Sequence, residues 1–294
     1  MINFQIPEEK KIRVILNTDA KNEVDDQFAI VQTVLTQSFD LRGIIAAHFG
    51  TGKSDTSMQD SYDEIMHLLK LMHMEDEVVV KKGAAAALES EQEPQISEGS
   101  RLILEEAEKD GTLYIAFLGP LTDMASAIIQ NPEIVNKDIK VIWIGGGNYP
   151  NGGSEYNLKN DITAANVVFK SGIEVWQIPR NVYRMMPVTF AELYSRVYPH
   201  GELGRYLTEN VITFNNVGNK RPTEYRVLGD SPAIGVMLYE DCGVWNMVKK
   251  PIFNADTTYN YDKDYGTIRV YENMNDRFIM EDFYAKLQLW NEGM

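Results

Sequence analysis

The stretch Ile12-Arg13-Val14-Ile15-Leu16-Asn17-Thr18-Asp19-Ala20-Lys21-Asn22-Glu23-Val24-Asp25-Asp26-Gln27-Phe28-Ala29 decides the fold class. It begins as a short apolar run, the pattern of a strand covered on both faces. Phe28, Ala29, Val31, Val34 and Leu35 then recur at helical spacing. Asp19, Asp25 and Asp26 therefore fall on a loop from strand to helix, and open α/β sheets bind ligands outside the carboxyl ends of their strands. Three aspartates within eight residues repel one another unless a cation, a proton or solvent intervenes. A hard, oxygen-loving cation relieves all three at once. Asp25 or Asp26 taken alone is more simply a helix cap.

Working outward, strand patterns recur at Ile12–Leu16, Leu41–Ala47, Val78–Val80, Leu113–Phe117, Ile139–Ile144 and Glu174–Ile178. Helical patterns lie between them near Asp55–Met72, Ser97–Lys109, Leu121–Ile129 and Asp161–Ser171. This alternation predicts an α/β fold with an open, mostly parallel central sheet and helices on both faces. After Arg180 the rhythm weakens into helices near Thr189–Val197, Gly201–Asn216 and Pro232–Tyr239, a strand at Thr267–Tyr271 and a helix near Asp276–Leu289. No repeat or low-complexity linker divides the chain, so residues 1–294 read as one domain.

Composition narrows the function. With 43 acidic against 28 basic residues the net charge is −15, which argues against a nucleic-acid partner. One cysteine, Cys242, excludes an intramolecular disulfide and a zinc finger. No apolar run is long enough to span a membrane, and the N-terminus lacks the basic-then-apolar pattern of a secretory signal. The expected location is the cytoplasm.

Four further stretches bear on chemistry. In Leu118-Gly119-Pro120-Leu121-Thr122-Asp123 a sharp turn ends a strand and leaves the Leu118 carbonyl as a candidate cation ligand. Trp143-Ile144-Gly145-Gly146-Gly147-Asn148 permits close backbone approach to a ligand, but lacks the lysine and spacing of a phosphate loop. Glu155 and Asn157, two apart, project to one side if the segment is extended, and such a pair suits adjacent sugar hydroxyls. Asp230, before Ser231-Pro232, is a cap or a fourth carboxylate for the cluster.

In this order, these stretches resemble the inosine–uridine preferring nucleoside hydrolases. That family opens with Asp-x-Asp and then an Asp-Asp pair heading a helix; here the first acid is Asn17 and the loop to Asp25-Asp26 is two residues longer. Its Thr-Gly-x-Leu-Thr-Asn turn is similar to Leu118–Asp123. Its Met-Gly-Gly-Gly, Glu-Phe-Asn and His-Asp-Pro stretches are similar to Ile144–Gly147, Glu155–Asn157 and Gly229–Asp230. The resemblance runs from about residue 12 to 235.

It implies a calcium-dependent N-ribohydrolase with its active site at the C-terminal ends of the strands, commonly a homodimer or homotetramer. The implied Ca2+ ligands are Asp19, Asp26, Asp230 and the Leu118 carbonyl. Asp25, Glu155, Asn157 and Asp230 would hold the ribose, and Asp19 would accept the proton of the attacking water. Gly229 stands where many members carry a histidine that protonates the departing base. Candidates by proximity for that task are His48, Tyr183, Tyr225 and Arg226. The alternative is a homologue that keeps the metal and pentose pocket for binding only. A metal-dependent phosphohydrolase fits less well, because no Lys or Arg clusters near the aspartates. Thr51 or a neighbour departs from the family's asparagine after the second strand. Tyr183-Arg184-Met185-Met186 reads either as a wall for an aromatic base or as core. Trp245, Tyr259, Tyr261 and Trp290 are candidates for a subunit interface or for the core.

Overall fold

A computed structural model describes residues 4–218 and 223–293. Its central sheet uses β1 (Ile12–Thr18), β2 (Phe39–Ala46), β3 (Val80–Lys82), β4 (Leu113–Phe117), β5 (Ile139–Ile144) and β6 (Glu174–Ile178). Two short antiparallel pairs lie outside it, β7 (Pro187–Thr189) with β8 (Tyr225–Val227) and β10 (Ile252–Phe253) with β11 (Tyr259–Asn260). The sheet is completed by β9 (Trp245–Lys249) and β12 (Thr267–Tyr271), in the order β3-β2-β1-β4-β5-β6-β12-β9. Every neighbouring pair in it is parallel except β12 with β9. The chain builds outward from β1 to β3, then returns to place β4 on the other side of β1. That reversal opens a crevice above β1 and β4, where open sheets of this kind bind ligands.

The helices are α1 (Asp26–Leu35), α2 (Ser57–Leu71), α3 (Glu98–Ala107), α4 (Thr122–Gln130), α5 (Tyr156–Asn160) and α6 (Ile162–Lys170). They continue with α7 (Arg180–Tyr183), α8 (Phe190–Arg196), α9 (Gly201–Gly218), α10 (Ser231–Leu238) and α11 (Asp276–Glu292). The pleat sorts the strand residues between two cores. Val14, Leu16, Ala46, Ala116, Ile142, Ile144 and Trp176 pack with α1, α2, α10 and α11. Ile15, Ile45, Ile115, Phe117, Val141 and Trp143 pack with α3, α4 and α6. Alternate residues thus serve opposite faces, which is why these strands read as continuous apolar runs.

The expected open, mostly parallel sheet is present, with differences at its margins. The strand read at Val78–Val80 forms at Val80–Lys82. Trp245–Lys249 was not expected as a strand, because its residues are at best half-buried and show no apolar run. Tyr259 is buried in the core under the glycine loop, against Phe253 and Tyr149. No helix among the described residues is long and apolar enough to cross a membrane.

Candidate active site

The carboxylates meet in one pit at the C-terminal ends of β1, β4 and β5. Asp19 follows β1, Asp25 and Asp26 head α1, and Asp230 heads α10. With Leu118, Ile144, Glu155 and Asn157 they line a cavity of about 80 Å³. Carboxylate oxygens of Asp25, Asp26 and Asp230 all lie within 4.8 Å of one another. Neither Asp25 nor Asp230 caps its helix with its side chain. Both already have right-handed helical backbone angles, whereas a capping residue takes extended angles that turn its side chain back onto the helix. The capping explanation therefore fails for them.

Few donors reach these acids. Asp25 accepts from the Gly229 amide at 3.0 Å, and Asp26 from the Thr18 hydroxyl at 2.5 Å. The Oδ2 atom of Asp19 is buried with no partner. Burial, reinforced by mutual repulsion, pushes the Asp19 and Asp230 carboxyls well above the usual range. Burial pushes Asp25 to about 8 with help from the Glu23 and Asp26 charges, while hydrogen bonds from Thr18 and Asp230 limit Asp26 to about 6. Such clustered, desolvated acids mark functional sites more often than structural ones. An all-oxygen set with an orphaned carboxylate oxygen fits a hard divalent cation and no softer one.

The other predicted residues differ in how they reach the pit. Glu155 and Asn157 are not on an extended segment, as the alternation suggested. Glu155 is the N-cap of α5, so its neighbour Asn157 already lies in the first turn. One Glu155 oxygen takes the amides of Gly146 and Leu158, each at 2.8 Å, and the other takes the Asn157 amide and the Tyr183 hydroxyl, each at 3.1 Å. The Asn157 side-chain amide donates to the carbonyls of Leu118 (2.6 Å) and Ile144 (2.8 Å), tying the ends of β4 and β5 together. The Leu118 carbonyl faces the pit but is shared with Asn157.

The glycine triplet does not line the pit. Gly146, at φ +81°, and Gly147 pack against protein, and a Cβ on Gly146 would meet Gln177 and Tyr259 at 2.2 and 2.5 Å. Their task is to place the Gly146 amide on Glu155. Gly119 serves Asp19 in the same way, since a Cβ there would stand 3.0 Å from the carboxyl carbon.

Asn17 and His48 lie outside the pit. Asn17 shares the parity of Ile15, so the pleat turns it toward α4, where its amide donates to Asp123 at 2.9 Å. His48 bonds Thr122 through Nε2 (2.9 Å) and accepts the Gly50 amide at Nδ1 (3.2 Å), and burial lowers its pKa to about 4. It is a neutral packing residue. Met186 is core and Met185 is exposed, so neither walls the pit.

Two larger cavities adjoin it. One, about 300 Å³, is lined by Glu23, Asp25, Tyr183, Arg184, Asn215, Tyr225, Arg226 and Gly229 among others. The second, about 790 Å³, runs past Phe49, Thr51, Tyr156 and Arg180. Glu23 and Tyr183 border the pit and both cavities. Glu23 was not singled out in the sequence, although it is the fourth acid of the lengthened loop.

Comparison with known proteins agrees with this geometry. Uridine nucleosidase 1 of Arabidopsis thaliana is 24% identical over 212 residues, covering 63% of this chain and 61% of that protein. Probable uridine nucleosidase 2 of the same plant is 29% identical over 114 residues, covering 37% of this chain and 35% of that protein. The matches thus span about one third to three fifths of these relatives. A purine-preferring ribonucleoside hydrolase from Gardnerella vaginalis superposes with a TM-score of 0.78 at 18% identity, over 96% of this chain and 100% of the other. The plant nucleoside hydrolase PpNRh1 gives 0.76 at 18% identity, over 94% and 98%. The sequence model of the inosine-uridine preferring nucleoside hydrolases matches residues 14–278, and the chain belongs to that family.

Proposed function

We propose that the chain hydrolyses the N-glycosidic bond of a ribonucleoside or related N-riboside, releasing nucleobase and ribose, with calcium as its resident cation. The observation that carries this reading is the meeting of Asp19, Asp25, Asp26, Asp230, Glu155 and Asn157 in one pit. Asp19, Asp26, Asp230 and the Leu118 carbonyl would hold the cation. When bound, it supplies positive charge that offsets the carboxylates and acidifies an adjacent water.

Asp25, Glu155, Asn157 and Asp230 would grip the ribose hydroxyls and set the anomeric carbon against that water. Asp19, with its free buried oxygen, would take the water's proton. Cleavage develops positive charge on the sugar, and the anionic walls stabilise that charge more than the neutral substrate.

The test is release of free ribose from a panel of purine, pyrimidine and modified nucleosides with calcium present. Release from any of them supports hydrolysis. Ribose-induced thermal stabilisation without release from any nucleoside would replace this reading with a binding protein.

A further inference from the structure

Among the described residues around the pit, two of the usual donors of a proton to a departing base, His48 and Tyr183, are engaged, and Tyr225, which lines the adjoining 300 Å³ cavity, is the one left to test. His48 has both ring nitrogens bonded, is buried and does not line the pit. The Tyr183 hydroxyl is committed to Glu155, and burial beside that carboxylate pushes its pKa far up. Position 229 has no side chain, and none fits without movement, since a Cβ would lie 2.9 Å from the Tyr183 ring and 3.3 Å from an Asp25 oxygen.

What the 300 Å³ cavity does hold is a guanidinium. Arg226, on β8, pairs through one terminal nitrogen with Glu23 and lies over the Phe214 ring, 4.8 Å from its centroid. Its side chain is only 17% exposed, and its Nε is buried with no partner. The cavity shares Asp25 with the pit but not Asp19. A base displaced in line leaves away from the group that deprotonates the water; of the two cavities only the smaller shares Asp25, a proposed ribose ligand, with the pit, and Arg226 lines it.

We infer that Arg226 takes the place of an acid: it stabilises the nucleobase as it departs as an anion whose negative charge delocalises onto carbonyl oxygens. This rests on the hydrolase reading above. The water oxygen bonds to the anomeric carbon as the C–N bond breaks, and the bonding pair stays on the base. The water's proton goes to Asp19 and then to solvent. Arg226 keeps all its protons, and the base regains one from solvent on release. A guanidinium suits this task because it is always charged and its planar fork matches the edge of a delocalised anion. Glu23 holds that fork in place.

The experiment compares kcat/KM for 5-fluorouridine, uridine and 5-methyluridine, with 4-nitrophenyl riboside as a substrate that leaves as a stable anion unaided. The wild type is expected to follow the acidity of the leaving group, fastest for the fluoro base and slowest for the methyl base. Arg226→Gln is expected to lose about a hundredfold on 5-methyluridine, the size of one lost charge-stabilising donor, and less than tenfold on the nitrophenyl riboside. Arg226→Lys, which preserves charge and packing, is expected to fall between. With Arg226 in place the alkaline pH profile shows no falling limb from an acid on the leaving-group side.

Equal losses on all four substrates would make Arg226 merely structural and overturn the inference. So would an alkaline limb that Tyr225→Phe abolishes, which would make Tyr225 the acid. No ribose from any substrate with wild-type protein would instead overturn the hydrolase reading, and this inference with it.

Discussion

Buried carboxylates occur on both sides of the sheet's C-terminal edge, and the two groups are treated differently. On the α4 side, Asp123 accepts from Asn17, from the Ala84 amide (2.9 Å) and from the Ser97 hydroxyl (2.6 Å). Asp161 accepts from the Leu88 and Ala164 amides and from Thr122. On the α1 side, Asp19, Asp25, Asp26 and Asp230 face one another with scarcely a donor between them. Burial raises the pKa of every member of both groups. Donors separate the structural acids from those that need a cation, because an unpaired buried charge costs several kcal/mol.

Asn17 and Asp123 sharpen the contrast. Each departs from the family's residue, an acid at the first position and an amide at the second, and the two side chains touch. The exchange is reciprocal: the chain keeps one carboxylate and one amide at the two positions, and here they are in contact.

The largest effect is expected on the unsatisfied side. Asp26→Ala should abolish tight calcium binding by calorimetry and lower kcat/KM at least a thousandfold, about 4 kcal/mol or more. Full turnover by that variant in chelator would remove Asp26 from the metal site. Asp19→Asn should keep the metal and lose about two to four orders of magnitude in kcat, the usual range for a general base. An unchanged rate would take that role from Asp19.

On the satisfied side, Asp123→Ala should destabilise the fold by about 2–4 kcal/mol in urea, because three donors lose their acceptor, while calcium affinity holds. A fall in affinity as large as that of Asp26→Ala would erase the distinction between the groups. The double exchange Asn17→Asp with Asp123→Asn should stay within about 1 kcal/mol of wild type, as one donor and one acceptor are kept. Collapse of the double variant would show that the pair is not interchangeable here.

The subtlest contrast is in pH. In calcium-free protein the folded Asp26 and Asp25 titrate at about 6 and 8, against 3.8 for the ordinary carboxyl. Between about pH 4 and 8 the unfolded chain therefore holds fewer protons than the folded one, and stability falls as pH rises. The loss should be on the order of 5 kcal/mol between pH 5 and 8. Saturating calcium should remove it, because the ion favours the charged carboxylates. Urea midpoints at the two pH values, with calcium and with chelator, measure this. A calcium-free protein no less stable at pH 8 would mean that the four acids are better solvated than their burial indicates.

Much of this was legible in one dimension. Apolar runs covered on both faces mark the parallel strands, because burial on each side leaves no polar alternation. The loop from Asp19 to Asp26 announced a cation by its charge density, and Asp230 was recognisable through a motif. Arg226 and Tyr183 could be named only by their nearness to motif segments, and Glu23 passed unnoticed, because their partners lie far along the chain. Local pattern misjudged Glu155, since alternation and an N-cap look alike over three residues.

The sequence by itself determined the strand–helix alternation, the family and the acids that form the pit, because each depends on short-range periodicity or a contiguous motif. Only the tertiary structure decided which acids find donors. It also decided that Asn17 faces Asp123, that His48 is locked away, and that the Arg226 guanidinium lines a cavity beside the pit. Hydrogen-bond satisfaction and burial are set by residues distant in the chain, and only the packed fold brings those together.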